Sequence, residues 1–240
     1  MSQEYYNNYL KIQNSEIGSS TDDALQQFAG KKLQTFLNGV RRAANSMGDI
    51  HSEKIKYAVE RTVKDVSDGK KVMIYSGFKS NGMALVYKEL VARNIQVAFI
   101  DGGKSVAKRG QIVEKYNKGD IKVLLITLAG AEGIDLKETR TVMLLDPWWN
   151  VAKLEQIVGR AVRYRSHVTL PKEQRNVDIL YLVLTKPEQR DPSDTVLLSA
   201  DEYLYRLGEA KMKEIAKVYD AMREAAAEKC KTMVRIASAS

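Results

Sequence analysis

Arg160 and Arg163, three residues apart in the run Gln156-Ile-Val-Gly-Arg-Ala-Val-Arg-Tyr-Arg-Ser-His167, carry the sharpest chemistry in the chain. A guanidinium stays charged and grips two phosphate oxygens with parallel N–H donors, so a pair can neutralise charge gathering on a phosphoryl group in transfer. On one helix this spacing puts both groups on the same face. A solvated basic face is the plain alternative, because exposed arginines are common. Gly159 weighs against it, since a glycine inside a helix costs about 1 kcal/mol and often marks close approach of another group.

Two further segments belong with the arginines. Ile126-Thr-Leu-Ala-Gly-Ala-Glu-Gly-Ile-Asp-Leu136 reads as a strand end, a run of small residues and a buried acidic loop. Gly130 and Gly133 permit close backbone approach, and Asp135 can accept a hydrogen bond from a ribose hydroxyl. Thr127 can bond a phosphate of nucleic acid. An ordinary glycine-containing turn explains the same residues. Leu145-Asp-Pro-Trp-Trp-Asn150 holds both tryptophans, which either anchor the core or order the loop that leads into the arginine helix.

Gly103-Lys104-Ser105 imitates the end of a Walker A loop, but the glycine required five positions before Gly103 is Ala98. It also lacks the order strand, glycine-rich loop, helix. Asp201-Glu202 follows no apolar strand and suits a helix start, where first-turn carboxylates meet the dipole favourably. The parts that hold magnesium and cradle the γ-phosphate are therefore expected from elsewhere.

The elements that must position these groups follow an alternating rhythm. β-rich runs at 72–75, 97–100, 123–127, 142–145 and 179–184 are separated by helical patterns at 83–93, 106–117 and 152–162. Such alternation predicts right-handed crossovers and a parallel sheet covered on both faces, with ligands at the carboxyl ends of strands. Before it, a helix runs from Ser52 to Val66, with Ile55, Val59, Thr62, Val63 and Val66 towards the core, and stops at Asp68-Gly69. After it, Ser199 and Glu202 form a capping box opening a long helix through about Val234. Residues 1–20 are polar and read as a mobile lead-in, and from Thr21 the apolar residues Leu25 to Val40 read as one amphipathic helix, until Gly48 interrupts the pattern. The expected units are 1–50, 51–198 and 199–240.

Composition sets the outer bounds. The 240 residues carry a formal charge of +8, which favours polyanionic partners without specifying a fold. One cysteine, Cys230, forms no internal disulfide, and two histidines offer little for a zinc site. No apolar stretch approaches the ~20 residues of a membrane span, and no signal peptide opens the chain, so an intracellular protein is expected.

In this order and spacing, the segments resemble motifs five and six of superfamily-two helicases, above all the SWI/SNF-like branch, over about residues 52–220. Lys71 to Phe78 is similar to that family's motif-four strand. Asp101-Gly102, Arg109 and Tyr116-Asn117 resemble the segment after it. Trp149-Asn150 resembles its Trp-Asn-Pro, with Val151 in place of proline, and Gln156, Gly159, Arg160 and Arg163 match Gln-x-x-Gly-Arg-x-x-Arg. Tyr164-Arg165-Ser166-His167 departs from the remodellers' Ile-Gly-Gln. With Ser199 to Lys211, it is more similar to the helicase-type ATPases of large cytoplasmic DNA viruses, the poxvirus early transcription factor and nucleoside triphosphate phosphohydrolase group.

The resemblance implies an α/β fold, a RecA-like parallel sheet flanked by helices, with extra N- and C-terminal helices. It implies that Arg160 and Arg163 act as fingers on ATP, whose magnesium is held by a separate N-terminal lobe. Gly133, Asp135 and Gln156 would contact the nucleotide, while Thr127, Arg109 and Lys79 would contact nucleic acid. DNA is the favoured track, although nothing in the residues separates it from RNA. The implied activity is ATP-driven translocation or unwinding, in transcription if the viral likeness holds, with this chain inactive alone; host cytoplasm and virion are then its places. A non-catalytic nucleic-acid-binding module on the same fold is the alternative.

Overall fold

The computed structural model describes residues 2–17, 38–148, 150–185, 187 and 199–225. Five strands form one all-parallel sheet: β3 (Lys71–Tyr75), β4 (Val97–Ile100), β5 (Val123–Ile126), β6 (Thr139–Leu144) and β7 (Asp178–Tyr181). Their order across the sheet is β4-β5-β3-β6-β7, so the chain starts in the middle, builds one side and then crosses to the other. Val72 to Tyr75 pair in register with Val123 to Ile126 on one side and with Thr141 to Leu144 on the other.

Strand side chains alternate between faces, which divides the apolar residues into two cores. Val72, Ile74, Val123, Leu125 and Met143 meet α3 (Glu53–Ser67) and α4 (Ala84–Ala92). Met73, Leu124, Ile126, Val142 and Leu144 meet α5 (Val106–Lys118) and α6 (Val151–Ala161). Burial on both faces explains why the central strands read as unbroken apolar runs. The expected parallel α/β sheet is present, with strand and helix ends within a few residues of the sequence reading.

At the carboxyl end of the chain, α7 (Ala200–Ala225) begins on the predicted capping box. The Glu202 amide donates to Ser199 Oγ at 3.1 Å, and the Ser199 amide donates to Glu202 Oε2 at 2.9 Å.

The amino-terminal expectation fails in part. Residues 3–17 form a helix, α1 (Gln3–Ile17), instead of a mobile lead-in. Tyr5 and Tyr9 are buried with Val40, Ala43, Leu184 and Ala200. The Tyr5 hydroxyl donates to the Ala43 carbonyl at 2.7 Å, and the Tyr9 hydroxyl accepts from the Ala200 amide at 2.8 Å. Burial pushes both phenols far above the usual tyrosine range. Polar composition is thus offset by aromatic rings whose hydroxyls find long-range partners. Of the helix expected over 25–40, residues 25–37 lie outside the described residues, while α2 (Asn38–Ala43) buries Val40. A small hairpin, β1 (Ser46–Met47) with β2 (Ile50–His51), then turns at Gly48 into α3.

Candidate nucleotide and nucleic-acid site

Three of the expected contact residues gather at the carboxyl rim of β4 and β5. Lys79, exposed in the short π-helical turn after β3, bonds Asp101 at 2.6 Å and lies 5.9 Å from the Phe99 ring centroid. The Lys79 ammonium holds the Asp101 carboxyl below its ordinary range. Thr127 continues the strand ladder by donating its amide to the Ile100 carbonyl at 3.1 Å. Arg109, half-buried on α5, reaches the Ala129 carbonyl at 3.4 Å. Its Nε is buried with no partner.

The close approach predicted at Gly130 is real. A Cβ there would lie 2.3 Å from the Ile100 carbonyl oxygen, closer than any side chain can come, so the loop after β5 can pack onto the end of β4 only as glycine. Gly133 has φ +71°, the left-handed region that glycine enters without steric cost. The Gly103-Lys104-Ser105 run serves a structural purpose: Ser105 caps α5, its hydroxyl accepting from the Lys108 amide at 3.3 Å.

The arginines cluster beside the loop that leads into β6. The Leu136 amide donates to the Arg160 carbonyl at 3.0 Å, which fastens the end of α6 to residues 133–137. Arg163 lies 3.7 Å from the Asp135 carboxylate and donates its Nε to the Gly159 carbonyl at 3.3 Å. Asn117 closes the arrangement, donating to the Asp135 carbonyl at 3.0 Å and accepting from the Lys137 amide at 2.8 Å. Between α5 and this loop lies a cleft lined by Arg109, Asn117, Gly133 and Asp135.

Several expectations are corrected here. α6 ends at Ala161, and Val162 leaves helical geometry with φ −114° and ψ 69°, so Arg163 stands beyond the helix. Arg163 turns to the Asp135 carboxylate, whereas Arg160 is tied to the same loop through its backbone carbonyl. Asp135 is exposed, not buried. Gly159 does not answer to an approach from within the described chain, for a Cβ there would meet nothing within 4 Å. Gln156, one turn before Arg160, is exposed on α6. Arg160 is half-buried, with its Nε buried and unpartnered.

A buried polar network, invisible to spacing, holds the loop that feeds α6. The Asp146 carboxylate accepts from Asn45 Nδ2 at 2.8 Å, from the Gly77 amide at 2.8 Å and from the Ser76 hydroxyl. Lys54, buried, donates to the Leu145 carbonyl at 2.9 Å and pairs with Asp201. Burial pushes the Asp201 carboxyl up, and Lys54 opposes that shift. Arg41 is sandwiched between Phe78 and Trp148, its guanidinium 4.8 Å and 4.5 Å from the ring centroids, and burial pulls it below the ordinary arginine range. Trp148 therefore both packs on the core and orders the loop; Trp149 lies outside the described residues. One local signal did exist, because Lys54, Ala58, Thr62 and Asp65 share a helix face that is buried throughout.

Comparison with known proteins adds the following. Residues 53–165 match the family described as helicase conserved C-terminal domain, a span that contains every candidate site residue. Over 183 residues the chain is 38% identical to a protein of Acanthamoeba polyphaga mimivirus named ATP-dependent RNA helicase L538, covering 76% of this chain and 39% of that protein. Over 122 residues it is 29% identical to nucleoside triphosphatase I of Melanoplus sanguinipes entomopoxvirus, covering 43% of this chain and 19% of that one. The chain thus spans less than two fifths of the length of these curated relatives. Among solved structures, the C-terminal part of the Fun30 ATPase domain superposes with a TM-score of 0.49 at 21% identity, covering 83% of this chain and 65% of that one. No helix among the described residues is long and apolar enough to cross a membrane.

Proposed function

From the match of residues 53–165 to the helicase conserved C-terminal domain, we propose that this chain completes a composite ATP site with a second, phosphate-binding lobe while gripping one nucleic-acid strand at the rim of its sheet. The observation that carries the reading is Arg160. Its Nε is buried without an acceptor, beside the open surface at Gly159. A buried donor left unmade costs about 1–3 kcal/mol, and an incoming phosphate oxygen would remove that cost.

Bound ATP supplies the phosphoanhydride that is broken, with its magnesium held by the other lobe. In this chain Arg160 and Arg163 would donate to the γ-phosphoryl oxygens, where charge develops in the transition state. Gln156, one turn earlier on α6, would orient the nucleotide, and Asp135 beside Gly133 would accept a ribose hydroxyl. Lys79, Arg109 and Thr127 would hold phosphates of the strand, which sets position without reading sequence. Closing of the lobes about ATP and opening after hydrolysis would move the strand stepwise.

The test is steady-state ATP turnover by the 240-residue chain alone and by the same chain joined to its phosphate-binding lobe. Alone it should show no turnover above background, because fingers neither cradle the β and γ phosphates nor hold magnesium. Joined, turnover should rise with single-stranded DNA or RNA, and a comparison of the two identifies the track. Robust hydrolysis by the chain alone, or full activity of both Arg160→Ala and Arg163→Ala in the joined protein, would overturn the reading. Salt-sensitive strand binding with neither turnover nor nucleotide contact at Arg160 would reduce the chain to a binding module.

A further inference from the structure

α7 outlasts the body it packs on. Its first turns are covered: Leu204 and Asp201 are buried, and Gly208 sits against Val151 and the Trp148 carbonyl. From Lys213 to Glu224 every residue is exposed. Yet the buried face does not turn polar where the body ends. Met212, Ile215, Tyr219 and Met222 follow at intervals of three, four and three residues, the seam spacing of paired helices. Ile215, Tyr219 and Met222 are 43%, 59% and 62% exposed, and Val218 beside them is 60% exposed. Single exposed apolar residues need no explanation, whereas an aligned stripe continuous with a packed face marks an interaction surface.

We infer that a second copy of this chain covers the stripe, its α7 lying antiparallel across a two-fold axis level with Lys217, between Ala216 and Val218. About that axis Met212 packs on Met222 of the second copy and Ile215 on Tyr219, and symmetry repeats both layers. The flanking positions select this arrangement. Glu209 of each copy falls opposite Arg223 of the other, while Ala216 and Val218 each fall opposite themselves, so that no like charges meet. A parallel pair in register sets Lys211 beside Ala216 and Val218 beside Arg223, without any opposite-charge pair, and stacks Tyr219 on itself. Within its own chain Arg223 reaches Asp220 at 3.5 Å, an exposed contact easily exchanged. The surface is self-complementary, as an isologous interface requires.

Sedimentation of the purified 240-residue chain over a range of concentrations tests this, with mass expected to rise from 27.0 kDa toward twice that value. Glu209→Arg or Arg223→Glu alone should raise the midpoint concentration roughly 3–10-fold, and the two together should restore it. Ile215→Glu should abolish the dimer while far-UV circular dichroism stays unchanged, since among the described residues Ile215 belongs to no buried core cluster. In a Cys230→Ser background, which removes the native cysteine, Ala216→Cys should oxidise to a cross-linked dimer and Glu209→Cys should not. A monomer at every concentration, a charge swap that fails to restore, or cross-linking at 209 in preference to 216 would overturn the proposal.

Discussion

The two ends of α6 are built on opposite principles. At its start, Asp146 is 2% exposed and its carboxylate accepts from Asn45, Ser76 and the Gly77 amide, with Lys54 3.9 Å away. At its end, Arg160 keeps a buried Nε without an acceptor and Arg163 lies exposed in the following turn. Ionic groups whose bonds are made within the chain hold a loop in one place, because moving any of them would strand a charge in a dry interior. The Arg41 Nε near the start of α6 is likewise buried without a partner, but Arg41 is enclosed between Phe78 and Trp148, whereas Arg160 stands beside open space at Gly159.

Four substitutions would break or sharpen this contrast. The largest loss is expected from Lys54→Met, which leaves Asp201 buried without its counter-charge and should cost about 3–5 kcal/mol of folding stability in urea denaturation. The loss should also depend on pH. With its carboxyl raised by burial, the folded state holds a proton that the unfolded state releases, so the variant should be more stable near pH 5 than near pH 8, stability falling as pH rises through the folded-state value. A pH-independent loss would mean that Asp201 is not the group stranded.

Arg160→Ala comes next and should act in the other manner. Turnover of the joined protein should drop about 10³-fold, some 4 kcal/mol of barrier, while the unfolding midpoint of this chain stays unchanged or rises, since the substitution removes an unmade donor. Lysine should rescue poorly, as a point charge cannot reproduce the guanidinium fork. A large fall in melting temperature would assign Arg160 to the anchored class instead.

Gly130→Ala probes the rim. The added methyl cannot coexist with the Ile100 carbonyl, so the two loops must part, at a cost of about 1–3 kcal/mol in stability together with weaker strand binding. Unaltered affinity for a labelled single strand would separate the rim from binding. The smallest effect on the fold belongs to Lys79→Ala, because its exposed ammonium meets Asp101 from the solvent side, where a pair is worth about 0–1 kcal/mol. Its signature lies elsewhere: the slope of log affinity against log salt should become shallower by about 1. An unchanged slope would take Lys79 off the strand.

Much of the architecture was legible because its signals are local. Apolar runs bounded by turns mark β3 to β6, period and capping mark α3 and α7, and Gly103-Lys104-Ser105 is not a Walker loop because Ala98 stands where glycine is needed. Of the candidate residues the order along the chain indicated neighbours, not roles: Arg163 meets Asp135, the Arg160 carbonyl meets Leu136, and Lys79, Arg109 and Thr127 share the rim of β4 and β5. What misled was the extrapolation of a period past its end. Arg163 was placed on a helix that stops at Ala161, and the polar residues 1–20 hid tyrosines that anchor α1.

The sequence by itself determined the alternating elements, the mismatch of Gly103-Lys104-Ser105 to a Walker loop and the residue types available for phosphate binding, since each depends on neighbours within a turn or a strand. Only the tertiary structure decided which charges are anchored and which are free. Lys54 meets Asp201 across 147 residues, Asn45 meets Asp146 across 101, and Tyr9 meets Ala200 across 191. No periodicity carries such pairings. They arise when a parallel sheet returns the chain to the same end of the molecule after every crossover, and their strength comes from the loss of water there, a property of the packed interior and not of any stretch of chain.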